Sequence, residues 1–342
     1  MASPRLLLDL GETLPWPDWL TRAAIRYLVG RTRRRLARDL PDADARFALD
    51  MARYPIAIAT DAANEQHYEI PERFFSLVLG PQRKYSCCLY EDASASLEVA
   101  EERALAVTAA HAGLEDGQRV LELGCGWGAL SLWMARQFKS SSIVAVSNSS
   151  SQGEFIRNIA RREGLANLNV ISADMNTFEP DGRFDRIVSV EMFEHMSNWR
   201  SLLERLRSSL APRGSMFLHV FSHRQTPYRF SIADESDWIA QYYFTGGIMP
   251  SHRLIWQFSD CFEITDEWRW SGEHYCRTAA DWLRRFDKNR KPIEELFDGI
   301  YGPDAGLWLR RWRLFFLATM ELFGHANGQE WGVSHYRLAP SH

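Results

Sequence analysis

The chain has 342 residues, 46% of them hydrophobic and 25% charged, enough to bury a sizeable core in one large domain or two modest ones. A net charge of -4 and a pI near 6.2 exclude a polyanion-binding surface over the whole molecule, so nucleic acid is not an expected partner. Five cysteines (Cys87, Cys88, Cys125, Cys261 and Cys276) form neither a disulfide framework nor paired metal spacing, and no apolar stretch is long enough for a signal peptide or a membrane span; a cytoplasmic, soluble or at most membrane-peripheral protein is expected.

Residues 10 to 53 read as helices, with Pro15-Trp-Pro-Asp18 as a start signal and Trp19, Ala23, Ile25, Tyr27 and Leu28 as an apolar face. Seven arginines lie between Arg22 and Arg38. They admit two readings: a basic helix drawn to anionic lipid headgroups, or a solvated face balanced by Asp39, Asp42 and Asp44, which is the plainer of the two. Whether the chain pairs into a homodimer stays open. Leu97 to Ala110 is rich in Glu and Ala and reads as a helix packed onto the sheet.

The stretch from Gln118 to Gly128 organises the rest. Val120, Leu121 and Leu123 predict a buried parallel strand; Gly124, Gly126 and Gly128 turn it into a helix over Ala129 to Phe138. Alternate glycines after a strand let the backbone pass close under a ligand, with free N–H groups of the new helix facing it. A dinucleotide site would want an acid at the end of the next strand, but Ser142 to Val146 runs into Ser147 and Asn148. A phosphate loop would want Lys and Ser or Thr after its last glycine, and neither is there.

Strand and helix signals then alternate as a doubly wound sheet requires: Ile143 to Val146, a helix over Gln152 to Glu163, Leu168 to Ile171, Arg186 to Val190, a helix over Trp199 to Leu210, and Ser215 to Phe221. Ligands in such sheets bind at the carboxyl ends of the strands. Those ends supply Ser147, Asn148 and Gln152, then Asp174 and Met175, then Val190 with Glu191, Glu194 and His195. Two carboxylates and an imidazole directly after an apolar strand are costly to bury without a task. From Phe230 to Gly328 the alternation stops and aromatics crowd in, which reads as a helical cap before a last strand at Gly332 to Leu338. Such a cap would exclude water and shape an apolar acceptor pocket.

Glu122 before the three glycines completes strand-Glu-x-Gly-x-Gly-x-Gly, which resembles the first motif of class I S-adenosylmethionine-dependent methyltransferases. Tyr54-Pro-Ile-Ala-Ile, Asn64-Glu-Gln-His-Tyr-Glu-Ile-Pro71, Lys84-Tyr-Ser-Cys-Cys-Leu-Tyr and the Glu191-x-x-Glu194-His195 run are similar to coclaurine N-methyltransferases and, more distantly, to cyclopropane fatty acid synthases. The resemblance implies an α/β class I methyltransferase fold, Rossmann-like, with a doubly wound seven-stranded sheet. It divides the chain into an N-terminal helical segment and cofactor lid (1–110), a cofactor-binding core (111–229), a helical acceptor-binding cap (230–328) and the sheet's last strand (329–342). It implies S-adenosylmethionine as cofactor and S-adenosylhomocysteine as product, with Tyr85, Ser86, Glu122, Gly124, Gly126, Gly128, Ser147, Asn148, Gln152, Asp174, Met175 and Val190 around it and no metal.

Two acceptors stay open. For an apolar amine, which arrives protonated with a pKa of about 10, Glu191 or Glu194 with His195 would remove the proton, help worth about 10² to 10⁴ in rate. For an unsaturated acyl chain of a phospholipid, the cyclopropane synthases hold a bicarbonate with a Cys, a Glu, a His and a Tyr; the matching residues are Cys87, Glu194, His219 and Tyr275, while Phe221 departs from the expected Ile. The amine is favoured because the Glu191/Glu194 pair matches that branch. A cofactor sensor or scaffold without activity is the reading outside enzymes.

Overall fold

Val120, Leu121 and Leu123 are buried in β1 (Arg119–Leu123), at the centre of a sheet that flanks it on both sides. The computed structural model describes residues 16–38, 41–58, 70–231 and 238–341. Among them the other strands are β2 (Ser142–Ser147), β3 (Leu168–Ser172), β4 (Phe184–Val190), β5 (Leu210–His223), the short β6 (Tyr228–Arg229) and β7 (Ile248–Met249), β8 (Phe262–Ser271) and β9 (Trp331–Pro340). The helices are α1 (Asp18–Leu36), α2 (Ala43–Met51), α3 (Glu72–Val78), α4 (Leu97–Ala112), α5 (Ala129–Gln137), α6 (Ser150–Glu163), α7 (Trp199–Ser208), α8 (Trp238–Tyr242), α9 (Gly272–Lys288), α10 (Arg290–Tyr301) and α11 (Ala305–Phe323). Pro15, Asp39 and the Asn64 to Glu69 part of the N-terminal motif lie outside the described residues.

The sheet has seven strands in the order β3-β2-β1-β4-β5-β9-β8. The pairs from β3 through β5 are parallel, and β9 runs antiparallel to both β5 and β8. This is the expected class I methyltransferase sheet, and its order reverses between β1 and β4. Ligands sit at such a reversal because the helices after the two strands leave to opposite sides and open a crevice. Local signals mark the helix ends. Ser96, Ser149 and Asn198 accept backbone N–H groups at the starts of α4, α6 and α7, and Gly113 and Gly164 close α4 and α6 in the left-handed conformation.

One boundary differs from the sequence reading. The span 230–328 is not purely a helical cap: it contains β7 of the β6–β7 hairpin and the edge strand β8, which pairs with β9 from Phe262 to Ser271. β8 alternates buried Phe262 with exposed Glu263, as a half-covered edge strand should, but Trp268 and Trp270 within it make the segment look uniformly aromatic. The helices α9 to α11 lie between β8 and β9.

Those helices share one apolar cluster with α1 and α3. Phe74 packs on Phe286, Phe297 and Trp312, each ring fully buried. Burying one Phe side chain is worth roughly 1.5–3 kcal/mol, so this seam holds the N-terminal segment firmly to the cap. Three arginines of α1 are paired here as well: Arg22 and Arg26 both bind Glu321 of α11, and Arg33 binds Glu330. Asp44, expected among the balancing acids, instead accepts from Ser251. Among the described residues no helix is long and apolar enough to cross a membrane.

Candidate active site

Gly124, Gly126 and Gly128 all take positive φ (75°, 53° and 80°), so the turn from β1 into α5 is open only to glycine without strain. A Cβ on Gly124 would stand 2.5 Å from Met192, and one on Gly128 2.7 Å from Ile156. At Gly126 it would meet no protein atom within 4 Å. A groove opens at that point. Ser147, Asn148, Gln152, Asp174 and Met175 line one arm, and Tyr85, Ser86, Glu122, Trp127 and Val190 the other; Gly126 and Gln152 belong to both.

The polar atoms of the groove fit a zwitterionic nucleoside. Ser147 Oγ donates to Gln152 Oε1 at 2.8 Å, which turns the amide so that its buried Nε2 finds no acceptor among the described residues. Trp127 Nε1 is buried and equally without one. Leaving such donors unmet costs about 1–3 kcal/mol each, a cost that a carboxylate or ribose hydroxyl in the groove removes. Glu122 is hydrogen-bonded by Ser131, and burial pushes its carboxyl up to about 8. An incoming ammonium would return it to the charged form. Asp174 accepts from the Asn176 N–H at 2.8 Å, so it shapes its own turn while lining the groove.

The buried acids follow β4. Glu191 takes φ 48°, a left-handed conformation that costs a residue with a Cβ on the order of 1–3 kcal/mol and recurs at functional sites. Its N–H is held by the carbonyl of His219 at 2.8 Å. Its carboxylate then meets three donors from three parts of the chain. Oε1 accepts from the Cys87 N–H at 2.9 Å and lies 3.2 Å from His219 Nε2, and Oε2 accepts from the Tyr275 hydroxyl at 2.6 Å. The buried ammonium of Lys84 binds Ser86 Oγ and the Cys87 carbonyl nearby.

Glu194, three residues on, is fully buried. Its Oε1 accepts from the Phe221 N–H at 2.6 Å, and its Oε2 has no partner among the described residues. Burial raises both carboxyls, and the charge of Glu191 drives Glu194 well above the usual range. Two adjacent buried carboxylates do not both ionise, and the one with more donors keeps the charge. The proton of the pair therefore sits on Glu194 and the anion on Glu191. His195 stacks on Phe244 with ring centroids 4.5 Å apart, and burial lowers it to about 4, so it is a neutral imidazole at pH 7. Glu191 and His195 line the cofactor groove and Glu194 stands behind them.

Against known proteins, residues 58–328 match the family model of the mycolic acid cyclopropane synthetases. The chain belongs to that family. It is 38% identical over 285 residues to an (S)-coclaurine N-methyltransferase of Thalictrum flavum subsp. glaucum, covering 82% of this chain and 79% of that one. A cyclopropane-fatty-acyl-phospholipid synthase of Escherichia coli (strain K12) is 33% identical over 224 residues, 65% of this chain and 56% of that one. A crystal structure of coclaurine N-methyltransferase bound to N-methylheliamine and S-adenosylhomocysteine superposes with a TM-score of 0.93 at 33% identity, over 97% and 98% of the two chains. This family member is an S-adenosylmethionine-dependent methyltransferase of the coclaurine N-methyltransferase branch. The cofactor is S-adenosylmethionine.

Three readings of the sequence change here. The Cys87 thiol does not face Glu191: it turns to the Cys88 carbonyl, burial raises its pKa, and only the backbone N–H serves the site. His219 and Tyr275 gather around Glu191 and not around Glu194. The resemblance assigned these two residues and Cys87, together with Glu194, to holding a bicarbonate; here His219, Tyr275 and the Cys87 N–H all meet the Glu191 carboxylate. Lys84 has no role in the sequence reading and holds a central one here. Next to Arg83 and Gln82 it reads as an ordinary surface cation, and only the fold buries it.

Proposed function

We propose that this enzyme methylates the nitrogen of an apolar small-molecule amine, with Glu191 as the base that receives the amine's proton. The observation that carries it is the Glu191 carboxylate held by the Cys87 N–H, His219 and the Tyr275 hydroxyl. A fixed buried anion attracts an ammonium, which an acyl chain does not carry. It also repels bicarbonate, the ion a cyclopropanating site needs. When bound, S-adenosylmethionine supplies an activated methyl group on a sulfonium, so the protein's share is alignment and proton removal. Glu191 takes the ammonium proton and frees the nitrogen lone pair. Neutral His195, clamped against Phe244, orients the nitrogen, and Phe221 and Phe244, 5.4 Å apart, offer faces to a cationic or aromatic acceptor.

A chain of rings from His195 through Phe244 to Phe230 leads to a larger apolar cavity of about 250 Å³ between α1, α8 and α11. Among the described residues that line it only Arg31, Arg35 and Tyr228 carry titratable groups, so it suits the body of an acceptor better than the reaction. The names of the relatives support an alkaloid-type amine. The deciding test is mass spectrometry of products from purified protein given S-adenosylmethionine with tetrahydroisoquinoline or benzylisoquinoline amines and, separately, unsaturated phospholipid vesicles. A one-carbon gain on the amine is expected. Gain on acyl chains alone would overturn the amine reading, and cofactor binding without S-adenosylhomocysteine release would make the protein a sensor.

A further inference from the structure

Lys84, Lys139, Lys288 and Lys291 are the only lysines of a chain rich in arginine, and the last three are exposed. Lys84 is 2% exposed and stands between the cofactor groove and the buried acids. Its Nζ donates to Ser86 Oγ at 2.5 Å and to the Cys87 carbonyl at 2.6 Å. Ser86 lines the groove, and the next residue, Cys87, gives its N–H to Glu191 Oε1. The turn that carries the lysine is held from behind by Glu101 of α4, whose carboxyl accepts the Gln82 N–H at 2.9 Å and the Lys84 N–H at 3.3 Å. A side chain at Gly80 would overlap that carboxyl, so the turn closes directly on it.

We propose that Lys84 is a positioning residue that ties cofactor binding to the base: one ammonium fixes the Ser86 hydroxyl at the groove and the Cys87 peptide against Glu191. It rests on the proposed amine methylation, in which Glu191 is that base. A serine hydroxyl has one proton to give. Because Ser86 Oγ accepts from a cation, that proton is left to be donated elsewhere, and it finds no acceptor among the described residues. Trp127 Nε1 and Gln152 Nε2 are two more unmet donors along the same arm, and three such donors beside a cation fit a carboxylate. The buried cation also polarises the Ser86 hydroxyl and makes it the stronger donor.

On the base side the same charge acts through space. Glu191 and Glu194 share one proton, and a fixed cation nearby favours the ionised form of the acid it faces. Burial raises the Glu191 carboxyl, and Lys84 is the strongest influence against that rise. The other titratable groups that feel the ammonium are Glu101, His219, His335 and the thiols of Cys87 and Cys88. Burial keeps the imidazoles and thiols neutral and pushes Glu101 up to about 7, which leaves Glu191 as the main counter-charge. A lysine suits the place, since a compact ammonium turns its N–H groups onto two acceptors of one tight turn where a planar guanidinium does not.

Nitrogen-15 NMR of lysine-labelled protein reads the link directly, because the chain holds only four lysine ammonium groups. One signal should be protected from solvent, and it should move both when S-adenosylhomocysteine binds and in Glu191→Gln. Ser86→Ala should weaken S-adenosylhomocysteine on the order of tenfold by calorimetry, with the protected signal still present. Lys84→Met should lose a similar factor in cofactor affinity and should also gain a protonated-carboxyl infrared band at neutral pH. Adding Glu191→Gln to it should remove that band. A protected lysine signal that stays in place in either case overturns the link, and does so even if Lys84→Met fails to fold. A folded Lys84→Met with wild-type cofactor affinity or without the new band overturns it too, as does a Ser86→Ala of wild-type affinity. None of these readouts needs an acceptor, so a wild type that methylates no amine overturns the amine reading instead, and the two failures are told apart.

Discussion

The Tyr275 hydroxyl donates to Glu191 Oε2 at 2.6 Å while its ring stacks on Phe323 at 4.4 Å, so one residue both anchors the base and belongs to the cap core. Tyr275→Phe removes the hydroxyl and keeps the stack. A hydrogen bond to a charged group is worth about 1.5–3 kcal/mol, so kcat should fall roughly 10- to 100-fold. Melting temperature and S-adenosylhomocysteine affinity should hold. A matching loss of cofactor affinity would show that the phenol supports the groove and not the base.

Glu191→Gln and Glu194→Gln separate the two acids. Losing a general base costs about 10² to 10⁴ in rate, and that loss is expected for Glu191. Glu194→Gln keeps a carbonyl for the Phe221 N–H and is neutral like the protonated acid it replaces, so it should lose less activity and stay folded. Glu194→Ala leaves that N–H unmet and should cost about 1–3 kcal/mol of stability in denaturant melts. If Glu194→Gln proves the more damaging of the two amides, Glu194 is the base and the pair's resting proton belongs to Glu191.

The glycine turn distinguishes fold from ligand. Gly124→Ala drives a methyl into Met192 and should impair folding. Gly126→Ala meets no protein atom and carries only the left-handed backbone cost of about 1–2 kcal/mol. It should therefore fold yet bind S-adenosylhomocysteine much more weakly by calorimetry. Equal folding defects in the two would mean that the open space at Gly126 is not cofactor space.

Cofactor binding should release a proton near neutral pH. Burial holds Glu122 protonated up to about 8, and pairing with the ammonium of the cofactor ionises it. Affinity then rises with pH until about 8, and binding heats depend on the ionisation enthalpy of the buffer. Glu122→Gln should abolish that dependence. Heats that do not vary between buffers in the wild type would sink the pairing.

Stability should respond to pH through opposed groups, of which His195 and Glu122 are two. His195 is lowered from 6.5 to about 4, so the folded state prefers it neutral: its stabilising contribution is present above 6.5 and is lost as pH falls through 4. Glu122 is raised from 4.5 to about 8, so its contribution is present below 4.5 and is lost as pH rises through 8. The slopes of His195 and Glu122 offset each other between 4.5 and 6.5, and above 6.5 that of Glu122 persists, with the raised carboxyls of Glu101 and Glu194 acting in the same direction. Without cofactor, denaturant midpoints should therefore hold level and then decline toward pH 8, and Glu122→Gln should lessen the decline. His195→Phe should turn the level range into a slope as well.

Much of this was legible from the chain alone. The β1 run, the three glycines and the acids after β4 are local features, since a strand buried on both faces needs continuous apolar residues and a tight turn needs glycine wherever φ is positive. Periodicity therefore set the parallel half of the sheet to within a few residues, and with it the groove. β8 was not legible, because an edge strand covered on one face leaves a weak alternation, and Trp268 and Trp270 look like cap packing until their partners on β9 are known.

What only the tertiary structure decided is who stands beside Glu191. Cys87, His219 and Tyr275 are separated from it by 104, 28 and 84 positions. No spacing rule connects them, and the family resemblance grouped them with Glu194 around a bicarbonate. The left-handed turn at Glu191 swings its carboxylate into their midst, and the β5–β9 register sets His335 behind His219. The residue types come from the sequence, but which buried acid keeps its charge depends on how many donors reach it, and donors from distant segments are counted only after the chain has folded.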